Sequence, residues 1–349
     1  MEEYLTSVGA TIPQAALDTI AYNIGKTHYM EQDCKNVVTD FEKYIQKFPN
    51  GIFILQANYY KADCDDKNEN SDAALSGYTY VISKNKSEFT EPSLSRASDI
   101  LYKKQNYTQA LDYYKQLEQI AEVPKNSGSA KVGIMRCDYQ LKNYADAINY
   151  AKKVIVPEKL PSELKSEAHY TIAQSSFILA GAKHFIDSTS EEAKHKYDEA
   201  LAEFQTVVNS SKSEMGTEAK YDVALIQNLQ GNYKLSQKTI FELINGEGDF
   251  PYWTDKSMIL LADNYVALKD NFQAKTTLKG IISESEIAET KKIAQDKLDK
   301  IIAVEEAEKQ PKQVIEPLKI EFEGNTPLQN NLFIEPPVIK DSTEIKKDN

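Results

Sequence analysis

One pattern constrains this chain more than any other. A small residue is followed twelve positions later by a second one, four later by a bulky one, and three later by an apolar one, and the set recurs about every 36 to 38 residues. The small or substituted pairs are Gly25/Val37, Ala62/Ala74, Ser98/Ala110, Met135/Ala147, Ala173/Ala200, Ala224/Ser236 and Ala262/Ala274. Phe41, Tyr78, Tyr114, Ala151, Phe204, Ile240 and Leu278 take the next place, and Tyr44, Val81, Leu117, Val154, Val207, Leu243 and Ile281 the last. Two antiparallel helices approach closely only where both present small side chains, and large residues fill the space beside that contact. A fixed period of this length is the signature of a solenoid, whose core grows in one dimension as each unit contacts only its neighbours.

The turns between paired helices read KNENS, KQNY, LKNY, QGNY and LKDN, rich in the Asn and Gly that turns favour. The fifth copy departs from the rule. Ala173 and Ala200 are 27 residues apart, which predicts a hairpin with both helices longer by about two turns. A capping box at Thr189 to Glu192 opens its second helix, and Phe177, Ile178, Leu179, Phe185 and Ile186 lie on or near the projection. They either pack against Ala193 and Tyr197 or form an apolar ledge.

Segments YNIG (Tyr22 to Gly25), FEKYIQKFPN (Phe41 to Asn50) and LLADNYVALKDNFQAKTTLKGII (Leu260 to Ile282) resemble the tetratricopeptide repeat family, and more specifically its long members in Gram-negative bacterial envelopes. The chain departs from that pattern. No copy has the family's Trp, and the period exceeds the roughly 34 residues of the family. The resemblance implies an all-α TPR superhelix, an α-solenoid of about seven hairpins. Residues 1–17 read as a connector or the end of a preceding repeat, 18–285 as the array with its stretched fifth repeat at about 166–210, 286–310 as a capping helix and 311–349 as a disordered tail. That tail repeats an Ile-Glu-Pro-x-x-Ile frame, at Ile315 and Ile334, which is a candidate extended ligand.

The resemblance also places the first helix of each pair on a concave, partner-binding face. It assigns to that face Tyr22, Lys26, Tyr29, Tyr59, Asp63, Asp66, Asp99, Tyr102, Arg136, Tyr139, Tyr170, Gln174, Tyr221, Asn228 and Asp263. Tyr22, Tyr59, Tyr170 and Tyr221 fall at one equivalent place. Tyrosine offers a large contact area with a polar tip. The family's clamp for acidic C-termini uses Lys and Asn where this chain has Tyr and Asp, so a neutral or basic protein or extended peptide is the expected partner.

The net charge of −12 opposes nucleic-acid binding, which needs a basic stripe. No HEXXH, GxSxG, GxxxxGK[ST] or GxGxxG occurs, and the four His have no metal-ligand spacing. No enzyme activity, cofactor or metal is expected. The three cysteines, Cys34, Cys64 and Cys137, are an odd and sparse set and read as small buried hydrophobes rather than a disulfide framework. No apolar run approaches a membrane span and the first residues have no signal-peptide pattern. The chain as written therefore reads as cytoplasmic, or periplasmic if it is the C-terminal part of a longer exported protein. The expected function is a non-catalytic adaptor or scaffold. The alternatives are a structural segment of an envelope assembly and glycan or small-ligand binding in the Tyr-rich groove.

Overall fold

The computed structural model describes residues 13–156, 161–184, 191–246 and 249–309. These form fifteen helices: α1 (Gln14–Met30), α2 (Cys34–Lys47), α3 (Ile54–Lys67), α4 (Ser71–Ile82), α5 (Thr90–Lys103), α6 (Tyr107–Ile120), α7 (Pro124–Gln140), α8 (Tyr144–Ile155), α9 (Ser162–His184), α10 (Glu191–Ser210), α11 (Glu214–Leu229), α12 (Tyr233–Ile244), α13 (Pro251–Ala267), α14 (Asn271–Glu284) and α15 (Ala288–Lys309). Consecutive helices pair as seven hairpins, each packed on the next, and α15 follows the last. Met1–Ile302 is one compact unit; in the second, Ala303–Asn349, the described residues are the final turns of α15, where Val304 is exposed. Residues 1–12, Phe185, Ile186, Thr189 and the tail from 311, with its two Ile-Glu-Pro segments, lie outside the described residues.

Every position of the repeated pattern is buried. The small residues set the approach of the paired helices. A Cβ on Gly25 would lie 2.8 Å from the Phe41 ring, and Ser236 Oγ donates to the Ala224 carbonyl at 2.7 Å across the same contact in the sixth hairpin. In the stretched repeat, α9 has 23 residues and α10 has 20. Phe177 packs against Tyr197, with ring centroids 5.9 Å apart, and Ala193 is buried.

The turns share a backbone device. Gln32, Glu69, Gln105, Lys142, Gly231 and Lys269 each stand seven residues after the first small position, and all have positive φ. The following residue, always Asp or Asn, donates its amide to a carbonyl five residues back, as from Asn106 to Leu101 at 2.9 Å and from Asp270 to Tyr265 at 2.8 Å. This closes the first helix as a Schellman motif. The same Asp or Asn is the N-cap of the second helix. Its side chain accepts the amide of the residue three further on at Asp33, Asn106 and Asp270. Five of the six turns hold a side chain where glycine is better suited, and replacing Lys142 by Gly is expected to stabilise the protein by about 0.5–1 kcal/mol. Gly231→Ala is expected to cost about 1 kcal/mol. Thermal and denaturant midpoints of the two variants check both signs.

A second device ties hairpin to hairpin. Seven residues before the first small position, Asp18, Glu91 and Asp255 accept hydrogen bonds from the entry to the next repeat. Asp18 takes the Ile52 amide at 2.9 Å and the Tyr44 hydroxyl. Glu91 takes the Glu122 and Val123 amides and Asn126 Nδ2. Asp255 takes Ser285 Oγ and Thr290 Oγ1, the latter at 2.6 Å. Burial alone would raise the Glu91 carboxyl, but these hydrogen bonds outweigh it and hold it below its ordinary value.

The cysteine expectation needs correction. Cys34 opens α2 and Cys64 lies in α3, and stacking of the first two repeats brings their Cα atoms to 4.9 Å, joined by a disulfide. Neighbouring repeats place residues 30 apart in sequence side by side, which spacing along one chain does not reveal. Cys137 is a free buried thiol, and burial pushes it up to about 12.

Candidate functional site

First helices of adjacent repeats touch one another, α1 with α3, α5 with α7, α7 with α9 and α11 with α13, while no pair of second helices comes as close. In a curved stack the layer whose members approach most closely is the inner one. The first helices are therefore the closely spaced layer of the stack, and the positions three before, one after and four after the small residue belong to them.

Much of this strip is occupied by the joints between repeats. Tyr22 is only 4% exposed and stacks on Phe53 at 4.1 Å with 11° between the rings. Tyr59 packs on Phe89 at 4.9 Å and Tyr221 on Trp253 at 5.5 Å. In each case the second ring comes from the start of the next first helix, about 31 residues later. Tyr170 instead meets Phe204 of its own hairpin at 6.0 Å. The four equivalent tyrosines are thus packing residues, and Tyr22 offers a partner no surface.

The polar candidates also pair across joints. Tyr29 Oη donates to Asp63 Oδ2 at 2.8 Å, and Lys67 meets the same carboxylate at 2.7 Å. Arg136 grips Glu167 with two bonds, Nε–Oε1 at 2.5 Å and Nη2–Oε2 at 2.7 Å, the geometry in which Arg pairs most firmly. Gln174 Nε2 donates to Asp222 at 2.6 Å and to Tyr170 Oη at 2.9 Å. Asn228 reaches Asn264 at 2.9 Å, and Lys297 reaches Asp263 at 2.7 Å. Between these joints lie open places. Lys26 and Asp99 are exposed, and Asp66, Tyr102 and Tyr139 are half-buried. Tyr102 and Tyr139 rest edge-on against Tyr107 and Tyr144. Exposed Arg96, outside the register used for the sequence assignment, belongs to the same stretch as Asp99.

The strip is electrostatically uneven. On α11, Glu218 and Asp222 stand one turn apart, with Asp222 6% exposed. Burial, then the Glu218 charge, pushes Asp222 up to about 7, against the opposing pull of Lys256 and of the Gln174 hydrogen bond. Burial likewise raises Glu218, which shares a hydrogen bond with the Tyr170 hydroxyl. A carboxyl whose folded pKa is raised contributes its stability below its ordinary value of 3.8 and loses it as pH rises through about 7. Asp222→Asn is therefore expected to change little near pH 4 but to stabilise the protein at pH 8.5 by on the order of 2–3 kcal/mol, as thermal midpoints at both pH values will show. Among the described residues no cluster of three or more metal-ligating side chains occurs, and no helix is long and apolar enough to cross a membrane.

No protein-family model and no curated protein matches the sequence. Solved structures do. The C-terminal part of a TPR repeat-containing protein from Cytophaga hutchinsonii is similar with a TM-score of 0.53 at 16% identity, over 78% of this chain and 98% of that one. A tetratricopeptide repeat protein from Parabacteroides merdae is similar with a TM-score of 0.42 at 14% identity, over 83% of this chain and all of the other.

Proposed function

The chain has the tetratricopeptide repeat fold, and from it we propose a non-catalytic scaffold that binds an extended protein segment along the concave strip of its first helices. The observation that supports this most is the inner layer itself, where Lys26, Asp66, Arg96, Tyr102 and Tyr139 remain open between joints that already satisfy their neighbours, beside exposed Asp99, which accepts the Tyr114 hydroxyl at 2.7 Å. Rigid joints with open side chains between them give a pre-organised surface, which lowers the entropy cost of binding. Carboxylates at Asp66, Asp99 and Glu218 favour a neutral or basic segment and disfavour a phosphate backbone.

The test uses open residues, because the tyrosines at the joints hold the fold. A variant with Asp66→Arg, Asp99→Asn and Tyr102→Ala, in which the amide at position 99 can still accept the Tyr114 hydroxyl, is compared with an outer-face variant carrying Lys115→Glu and Lys238→Glu, both checked for native helicity. Partner capture lost only in the first supports the reading. Capture lost only in the second removes it.

The disulfide also bears on the compartment. Such bonds persist in oxidising surroundings and are rare in the cytosol. We propose that the protein resides in an oxidising compartment, as in the periplasmic alternative. Maleimide labelling of denatured protein from its native cells will decide. One reactive thiol per chain is expected, from Cys137, and three would refute the proposal.

A further inference from the structure

A lysine of the array is already held as a ligand would be. Lys256 Nζ lies 5.2 Å from the ring centroid of Tyr221, 5.4 Å from that of Trp253 and 5.5 Å from that of Tyr252. The rings are braced against one another, with Tyr221 and Tyr252 each packed on Trp253, and Trp253 Nε1 donates to Glu214 at 3.2 Å. Three rings within about 6 Å of one ammonium form an aromatic cage. Yet among the described residues Lys256 has no carboxylate at ion-pair distance.

The anionic part of the arrangement lies beside the cage. Glu218 and Asp222 occupy the same helix as Tyr221, one turn apart, and the hydrogen bonds they receive come from the neutral groups of Tyr170 and Gln174. The Lys256 charge acts on both carboxyls, but no described cation touches either. Cation–ring and cation–carboxylate attraction both strengthen when the groups are partly desolvated. Half-buried Glu218 and buried Asp222 thus have no paired cation among the described residues, next to a surface already shown to fit an ammonium, and Glu218 is the more accessible of the two. A long basic side chain in an extended segment lying along the strip reaches both features at once. Lys256 is half-buried on a flexible stem and is free to turn outward.

We propose that the concave face of repeats six and seven is a subsite for a lysine or arginine side chain of a bound protein segment, with Lys256 as the resident cation that yields to it. This rests on the concave-face reading and adds the chemistry of one anchoring residue.

The test is fluorescence anisotropy of the full chain with a labelled Ser-Lys repeat peptide, its Ser-Glu counterpart serving as control, at about 150 mM salt, where exposed charges are screened. Binding of the Ser-Lys peptide alone is expected. Glu218→Gln with Asp222→Asn should weaken it about tenfold and Trp253→Ala about three- to tenfold, while Lys256→Gln should tighten it about threefold or more. Lys238→Gln, which removes an equal charge from the outer face, should leave it unchanged. Both amide replacements keep hydrogen-bonding capacity, and native helicity is confirmed by circular dichroism. If affinity falls with Asp66→Asn and Asp99→Asn but not with the Glu218 and Asp222 pair, the subsite is overturned and the concave-face reading stands. If no concave variant changes affinity while outer-face variants do, both fall. No binding of the Ser-Lys peptide by either the wild type or Lys256→Gln also overturns the subsite.

Discussion

Phe204→Ala is expected to cost about 3–5 kcal/mol and to divide the array in two. Phe204 has no exposed surface and lies in α10 among Ala173, Ala200, Val207, Ala219, Val223 and Ile226, beneath Tyr170. It therefore joins the stretched fifth hairpin to the sixth. In a one-dimensional array stability is a sum of repeat and interface contributions. Losing a central ring weakens one interface rather than one shared core. Hydrogen exchange should then show residues 191–246 opening ahead of α1 to α6, and thermal unfolding should broaden or split. Phe272→Ala supplies the contrast, since that ring is 73% exposed and its removal is expected to shift stability by less than about 0.5 kcal/mol. Equal effects from both substitutions would contradict this account of the core.

Reduction of Cys34–Cys64 comes next in size. The bond closes a loop across the first hairpin into the second, over a separation of 30 residues, for which loop-closure entropy gives about 3–4 kcal/mol. The effect should be local. Cys34→Ser is expected to increase exchange in α1 to α4 and leave α11 to α14 as before. A reductant should reproduce the variant in the wild type and have no effect on the variant itself. Uniform loss along the chain would argue against a stack of nearest-neighbour repeats.

These expectations follow from features of different legibility. The hairpin pattern was plain in the sequence, because the close contact of two helices requires small residues at fixed spacing, and each of those positions is buried. Contacts between hairpins were not legible. Phe53, Phe89 and Trp253 share one register, nine before the first small residue, but that place lies outside the hairpin pattern and nothing in one repeat shows that each receives a tyrosine of the preceding one. Asp18, Glu91 and Asp255 do share one register, seven before the small residue, and could have been found by reading the acidic residues against the pattern. The same is true of the positive-φ turn residues, hidden because five of the six are not glycine. The first helices were legible as one layer, but the division of labour along them was not. Tyr22, Arg136 and Gln174 serve the joints. The acids and cation beside them, Glu167, Glu218, Asp222 and Lys256, occupy the first helices at registers the family pattern does not mark.

The concave-face reading is tested most directly by site-specific photocrosslinking in the cells that produce the protein. A benzophenone side chain is placed at Lys26, Tyr102 or Tyr139 on the inner face, and at Lys115 or Lys238 on the outer. The account predicts a crosslinked protein partner from the inner positions and none from the outer ones. Crosslinks from Lys115 and Lys238 alone would contradict it and move the interaction surface to the second helices.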